Sequence, residues 1–501
     1  MLTSNPLIPV DRNTRIVLVL ACVVHFVLGA SVGLSVDEAH YALYATHLAL
    51  SYFDHPPLVG WVQWPLVAMH APTALLRLIP EALWLGTVLM VHRIAVRLQL
   101  QRQDAAAGAR AGFWAVLVLA LSPLLHVLGI GLLPDTLLIF FTAALLWWTL
   151  DLMQPEALQR TGLWVGLGLL LGLAGLSKYT AILVALAFGV CLLLAHGPRV
   201  LVSGRLWMAV VIALIVVSPV AIWNAQNQWI SFAYQAQHGA GGSWQAMEVV
   251  KFLLVQVVAF GPLLLWGWAQ PFAAPMRSLR WFFVLPFGVL AVLAGGGTSL
   301  PHWTAPAWIA LAPFAGVALA HSVRQGQRKM VLVLAWTQGA VSVVVLGLMV
   351  SAGVPFVQGT SGSGNATDPS NPFADVHGWD AAGRRARELS VQQGLKSVAV
   401  QNWTLASRLA WYARPLPIHA LEDRFDQFDL WAGDLPQGGD TLLVDWSQLA
   451  YEVPLGGHGF ADCKLLETQE VRRFGVAIAS FSFYACHNWS GDPQPRLRKR
   501  P

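Results

Sequence analysis

Val36-Asp37-Glu38-Ala39-His40-Tyr41-Ala42-Leu43-Tyr44, followed by Tyr52-Phe53-Asp54-His55-Pro56-Pro57, is the stretch on which the reading of this chain turns. It comes directly after an apolar run from Arg15 to Leu34. Ionisable groups at the edge of a bilayer are costly, so carboxylates, imidazoles and phenols gathered there point to a site. The apolar run is too long for a signal-peptide core and lacks a clear cleavage site, so it reads as a retained helix.

The rest of the chain supports a membrane reading. Of 501 residues, 56% are hydrophobic and only 11% charged, against roughly 25% charged in soluble domains. The net charge of +5 comes from basic residues spread among loops, which excludes a nucleic-acid-binding face. The 23 tryptophans suit indoles seated at the headgroup level. Cys22 and Cys191 fall in apolar segments and read as inert packing residues. Cys463 and Cys486 fall in the less apolar C-terminal part, where a disulfide would fit an oxidising compartment.

Eleven apolar segments are candidate spans, near 14–34, 82–100, 111–131, 134–153, 162–177, 179–196, 206–223, 248–268, 281–298, 303–321 and 331–354, with up to thirteen allowed by soft edges. With the N-terminus in the cytoplasm, the cytoplasmic ends and loops hold Arg12, Arg15, Arg97, Arg102, Arg110, Arg160, Arg199, Arg205, Arg277, Arg280, Arg324, Arg328 and Lys329. The outer loops before residue 354 hold only Arg77 and Lys178, a split that sets the orientation. Asp37, Glu38, Asp54, Glu81 and Asp135 all fall on the outer side. Acidic residues do not set orientation, so a shared outer-face site is the simplest reason for their clustering.

The first outer loop, 35–81, starts with helical spacing at Asp37, Tyr41, Tyr44 and Leu48, predicting a short interfacial helix before Pro56-Pro57. A second outer loop, 224–247, is expected to lie over the site as a mobile flap. Residues 1–354 form the membrane domain. Residues 358–372 read as a linker, with a weak sequon at Asn365-Ala366-Thr367. Residues 355–501 form a second, α/β domain, with a helix expected at 378–394 and strands near 397–401, 441–446 and 474–485. The fold class is therefore mainly α and polytopic, with a C-terminal α/β domain outside the cytoplasmic membrane. The basic tail from Arg496 to Arg500 reads as a solvated end.

Seven residues are candidates for chemistry. Asp37 can act as a general base if it reaches a substrate hydroxyl, and Glu38 beside it shares that candidacy. The plain alternative for both is a helix cap. Asp54 and His55 can bind a metal, bind phosphate or pair with each other, held by the two following prolines. Asp135, in Leu132-Leu133-Pro134-Asp135-Thr136, reads as an N-cap and as a further outer-side carboxylate. Lys178, in Gly175-Leu176-Ser177-Lys178-Tyr179-Thr180, either snorkels or binds an anionic head group such as phosphate. Arg77 and Lys251 are weaker candidates for that task. His302, in Pro301-His302-Trp303-Thr304-Ala305-Pro306, is a cap or a site contact. No Walker loop, dinucleotide fingerprint, zinc spacing or nucleophile elbow stands out. An outer-face reaction lacks ready access to nucleotides, and a lipid-carried donor meets that need.

These segments, in this order and joined by Ser218-Pro219, Trp223-Asn224, Trp229 and Ser231-Phe232, resemble the bacterial dolichyl-phosphate-mannose-protein mannosyltransferase-like family of the GT-C superfamily. The resemblance covers about residues 30–310, and the family's relatives include the lipid A aminoarabinose transferase and protein O-mannosyltransferases. It implies a GT-C fold and a glycosyltransferase that takes a sugar from a polyprenyl phosphate on the periplasmic face of a bacterial inner membrane. The acceptor would be lipid A, another glycan or protein. Asp37 matches the catalytic carboxylate, Asp135 a second acidic site position and Lys178 a phosphate-binding lysine. Asp54 matches an acidic position linked to metal or substrate, so a divalent cation (Mg or Mn) is the one cofactor in view. Aminoarabinose transferases carry Lys where this chain has His55, so that enzyme's sugar is not carried over. A transporter or flippase is the alternative, and it predicts ionisable groups at mid-membrane depth and internal repeats. Neither is evident, and the carboxylates gather at one surface.

Overall fold

The computed structural model describes residues 10–100, 105–354 and 371–492. Arg102, the sequon at Asn365, most of the expected linker and the basic tail from Arg496 lie outside the described residues. In chain order the helices are α1 (Arg12–Ser31), α2 (Val36–Tyr44), α3 (Leu58–Trp61), α4 (Trp64–Ala68), α5 (Leu78–Leu100), α6 (Ala105–Ala120), α7 (Pro123–Ile130), α8 (Pro134–Leu152), α9 (Thr161–Ser177), α10 (Ala181–His196), α11 (Gly204–Gln226), α12 (Ile230–Ala240), α13 (Ala246–Phe260), α14 (Ala274–Ser278), α15 (Trp281–Ala294), α16 (Ala305–Ser322) and α17 (Arg328–Ser351). The C-terminal part adds α18 (Trp379–Gln393), β1 (Val398–Val400), α19 (Trp403–Tyr412), β2 (Ile418–Ala420), α20 (Gln427–Trp431), β3 (Thr441–Trp446), β4 (Phe460–Arg473) and β5 (Val476–Trp489).

Among the described residues, six stretches are long and apolar enough to cross a membrane, one of which, Pro301–Ser351, contains both α16 and α17. Two further stretches qualify if bent pairs are counted: α6 with α7, bent by 77°, and α13 with the short 3₁₀ turn Pro262–Trp268, bent by 102°. Each bend falls at a proline, Pro123 or Pro262, which removes a helix N–H and clashes with the preceding turn. The shorter α9 and α10 are also apolar. The eleven expected spans each coincide with one of these helices or pairs.

The chain divides into two compact units, and the division differs from the expected boundary after residue 354. The first unit comprises Met1–Val27, Ala49–Val62 and Ala71–Val343. The second comprises Leu28–Leu48, Gln63–His70 and Val344–Pro501. The first outer loop is thus shared, with α2 and α4 belonging to the unit that holds the C-terminal domain.

In the first unit, α16 is the centre, with every residue from Ala305 to Ala320 buried. Its Ala- and Gly-rich sequence permits close contact: a Cβ on Gly316 would lie 2.4 Å from the Ala111 carbonyl oxygen of α6. The same device joins α9 to α11. Gly168 and Gly172 form a G-x-x-x-G face on which added methyls would meet the Ala209 carbonyl oxygen at 2.6 Å and Val216 at 2.5 Å.

In the second unit, a five-stranded sheet runs in the order β2-β1-β3-β5-β4. β1 is parallel to β2 and β3, and β5 is antiparallel to β3 and β4. The parallel pair β1–β2 is joined through α19, as a parallel crossover requires. β4 and β5 form a hairpin closed at Phe474-Gly475, both with positive φ, the geometry of a tight hairpin turn. The expected α18, β1, β3 and β5 are present. β2, β4 and α19 were not anticipated. Cys463 and Cys486 face each other across β4 and β5 and form a disulfide.

Candidate active site

In the first unit the polar cluster is built on the start of α8 and the end of α9. Pro134 occupies the first helical position, where a missing N–H costs nothing. The expected capping role of Asp135 is not what the structure shows. Leu133 is the capping position, and Asp135 lies one residue inside the first turn. Its carboxylate turns away to Lys178, whose ammonium donates to both oxygens at 2.7 Å. Both side chains are nearly inaccessible, at 2% for Asp135 and 6% for Lys178. Lys178 follows the last turn of α9 in an extended conformation, at the negative end of that helix. The ammonium also sits 5.4 Å from the centre of the Trp303 ring. His302 Nε2 lies 3.7 Å from Asp135 Oδ2, an electrostatic rather than a hydrogen-bonding distance. The His55 ring is within electrostatic reach of the same carboxylate.

His55 arrives on a tight turn in which the Tyr52 N–H donates to the His55 carbonyl oxygen at 3.2 Å. The expected flap at 224–247 instead contains α12, which holds this turn. Ser231 Oγ donates to the Tyr52 carbonyl at 2.8 Å, and Gln235 Nε2 donates to the Asp54 carbonyl at 2.6 Å. Phe53 packs on Tyr234 at 4.6 Å between ring centres. Asp54 and His55 themselves remain partly accessible. Among the described residues, no three His, Cys, Asp or Glu side chains converge to hold a metal ion.

The other expected carboxylates, Asp37 and Glu38, lie in the second unit on α2. Ser35 Oγ accepts the Glu38 N–H at 3.3 Å, and Glu38 Oε2 accepts the Ser35 N–H at 3.0 Å. This capping box occupies Glu38 at the helix start. Asp37 stands beside it in the first turn.

Sequence reasoning missed two polar groupings. One supports α2 from the C-terminal domain, and its residues are separated from Asp37 by more than three hundred positions. The other is a buried chain in the first unit: His25 Nδ1 to Glu81 Oε2 at 2.7 Å, His25 Nε2 to His126 Nδ1 at 2.8 Å, and His126 Nε2 to the Ala120 carbonyl at 2.8 Å. A carbonyl only accepts, so His126 donates there from Nε2 and, when neutral, accepts from His25. A histidine inside the first apolar run was the available signal.

The comparisons with known proteins fit this arrangement. The family model for dolichyl-phosphate-mannose-protein mannosyltransferase matches residues 54–223. That range includes Asp54, His55, Asp135 and Lys178, and excludes Asp37 and His302. The lipid A galacturonosyltransferase RgtD of Rhizobium johnstonii is 24% identical over 55% of this chain and 58% of its own length. The lipopolysaccharide core galacturonosyltransferase RgtA of the same organism is 27% identical over 55% of this chain and 56% of its own. The chain thus spans little more than half the length of these curated relatives. Crystal structures of ArnT from Cupriavidus metallidurans are 17% identical. The apo form covers 96% of this chain and 99% of ArnT with a TM-score of 0.62. The form bound to undecaprenyl phosphate covers 94% and 97% with a TM-score of 0.61. At that identity the likeness establishes the fold, and the chain has the GT-C fold of ArnT.

Proposed function

We propose that this chain, a GT-C protein related to ArnT, is an inverting glycosyltransferase that moves a sugar from a polyprenyl-phosphate donor to an envelope glycan or lipid A on the periplasmic face of a bacterial inner membrane. The observation that carries the reading is the buried Asp135–Lys178 pair with His302 and His55 around it, set in an apolar helical unit of this fold. Buried charge in such a unit is costly even when paired, so its presence points to a function. ArnT was crystallised with undecaprenyl phosphate, which supports the donor class. The names of RgtD and RgtA support lipid A or lipopolysaccharide core as acceptor and galacturonic acid as the first sugar to try. The basic residues gathered in one set of loops support the periplasmic orientation.

In this reading Asp37 takes the proton of the acceptor hydroxyl as its oxygen attacks the anomeric carbon. The bond from that carbon to the phosphate oxygen breaks, and polyprenyl phosphate leaves with the electron pair. Lys178 stabilises the departing phosphate, which competes with Asp135 for the ammonium. Glu38 serves as the cap that fixes α2. No observation favours a transporter or flippase.

Mass spectrometry of envelope glycolipids and glycoproteins, with and without the gene, tests the assignment. Loss of one sugar from lipid A or core oligosaccharide, restored by the wild-type gene, is the expected result. Unchanged envelope glycans together with altered uptake of a solute would overturn it.

A further inference from the structure

The turn from α11 into α12 closes on two consecutive residues in the left-handed backbone region, Gln228 at φ 55° and Trp229 at φ 61°. The Trp229 N–H donates to the Asn224 carbonyl at 2.8 Å, a bond that ends a helix by reversing the chain. Glycine is the usual residue at such a stop, because it adopts positive φ without strain. This chain places an amide and then an indole there instead. Non-glycine residues persist in that region where the surrounding structure holds them, and they gather at ligand clamps.

What the turn presents is an aromatic platform. Trp229 is 51% exposed, and Phe232, three positions on, is 40% exposed. Their rings stack at 5.7 Å between centres with planes 20° apart. Phe232 in turn meets the Tyr179 ring edge-on at 5.4 Å. Tyr179 directly follows Lys178, so these rings run from the surface to the residue beside the buried ion pair. The same α12 holds the turn that carries His55, through Ser231 and Gln235. The platform and the polar cluster thus share their supports.

Composition narrows what can sit there. Residues 206–247 contain no Asp, Glu, Lys or Arg. The residues leading into Trp229 include four amides, Asn224, Gln226, Asn227 and Gln228, of which Gln226 and Gln228 are exposed. Phosphate and carboxylate are held best by charged donors, and this face has none. Amides both donate and accept, which suits hydroxyl groups. The indole face is electron-rich, which suits the C–H face of a pyranose ring. A tryptophan kept at an interface for its headgroup affinity alone needs no such backbone.

We propose that Trp229, backed by Phe232, is the platform on which a sugar ring of the acceptor glycan stacks. This deepens the glycosyltransferase reading and rests on it. The occupant is the acceptor because Lys178, which in that reading meets the donor's phosphate, is nearly buried, whereas Trp229 stands half in the open.

The test uses full-length protein in nanodiscs, with Trp229→Leu, which keeps an apolar side chain but no ring, and Trp229→Tyr, which keeps an aromatic face. One readout is saturation-transfer NMR with the water-soluble core oligosaccharide released from the host cell's lipopolysaccharide. The other is the kinetics of transfer from undecaprenyl-phosphate-linked galacturonic acid to lipopolysaccharide purified from a strain lacking the gene. The oligosaccharide signal is expected in the wild type and Trp229→Tyr, and absent in Trp229→Leu. The acceptor KM should rise about tenfold in Trp229→Leu, the scale of one lost aromatic contact, with kcat and donor KM within about twofold of wild type.

An unchanged acceptor KM and oligosaccharide signal in folded Trp229→Leu would overturn the platform and leave Trp229 as an interfacial anchor. A rise in donor KM alone would move the stacked ring to the donor and overturn the acceptor assignment. A signal that Trp229→Leu abolishes, in a wild-type protein that transfers no sugar, would support the platform while the transferase reading fails. If Trp229→Leu does not fold, Phe232→Leu removes the ring behind Trp229, and a wild-type acceptor KM there is the refuting result.

Discussion

In the proposed reading Asp37 and Lys178 divide the chemistry, and their removal should have different effects. Asp37→Asn keeps shape and most hydrogen bonding but cannot take a proton. Turnover should fall by roughly two to four orders of magnitude with the fold retained. Glu38→Gln, by contrast, keeps the acceptor that closes the capping box and should leave turnover near normal. Glu38→Ala opens the cap and costs about 1 kcal/mol. Near-normal turnover in Asp37→Asn would rule out the mechanism. Lys178→Ala acts on both folding and binding, because it leaves the buried Asp135 carboxylate unpaired, a defect of about 3–5 kcal/mol. Adding Asp135→Ala should recover part of the lost melting temperature. If the double variant also regains affinity for undecaprenyl phosphate, Lys178 is a structural partner of Asp135 and not a phosphate ligand. Both residues were legible in the sequence because each is an ion in an apolar chain. Their pairing was not, since forty-three positions separate them.

At the scale of elements, α20 packs the Phe428 and Trp431 rings on His40 of α2. Asp426 caps α20 by accepting the Phe428 N–H at 2.7 Å. Burial pushes its carboxyl up to about 7, against that hydrogen bond, and the nearby Asp429 and Glu422 carboxylates push in the same direction. A carboxyl whose folded pKa lies above its unfolded value adds stability that is present at low pH and lost as pH rises through the folded value. The wild-type protein should therefore lose stability between about pH 4 and pH 7 relative to Asp426→Asn, which keeps the cap acceptor and carries no charge. The measurement is the difference in melting temperature between the two proteins across that range, and a constant difference would refute it. Elements with strong local signals were readable in advance: the amphipathic α18, the buried runs of β1 and β3, the proline-ended first loop. β4 was not, because its residues alternate weakly and one face is largely exposed. α12 read as a loop because Gln, Gly and Ser dilute its apolar face, and its contacts with Tyr52 and Asp54 supply what propensity does not.

For the whole molecule, orientation is the property on which every other assignment depends, and the helices show where it could fail. α9 and α10, at 17 and 16 residues, rise only about 25 Å, short of a hydrocarbon core of about 30 Å. They form a consecutive pair, so if both turned back together the parity downstream would be unchanged. The bent pairs are different. If α6 with α7, or α13 with the turn after it, failed to cross alone, every later loop would change sides. The basic residues argue that both cross, because Arg160, Arg199 and Arg205 after the first bend and Arg277, Arg280, Arg324 and Arg328 after the second all stay with the cytoplasmic set. One failed crossing would move a whole group of them outside. Reporters separate these cases. A fusion near Gln325 should read as cytoplasmic and one after Pro355 as periplasmic, with fusions near Leu201 and Gln270 also cytoplasmic. A reversed signal at Gln270 with a cytoplasmic signal at Leu201 would place the fault at the second bend. A reversed signal at Leu201 would place it at the first bend, and Lys178 would then lie on the cytoplasmic side, where a periplasmic donor could not reach it.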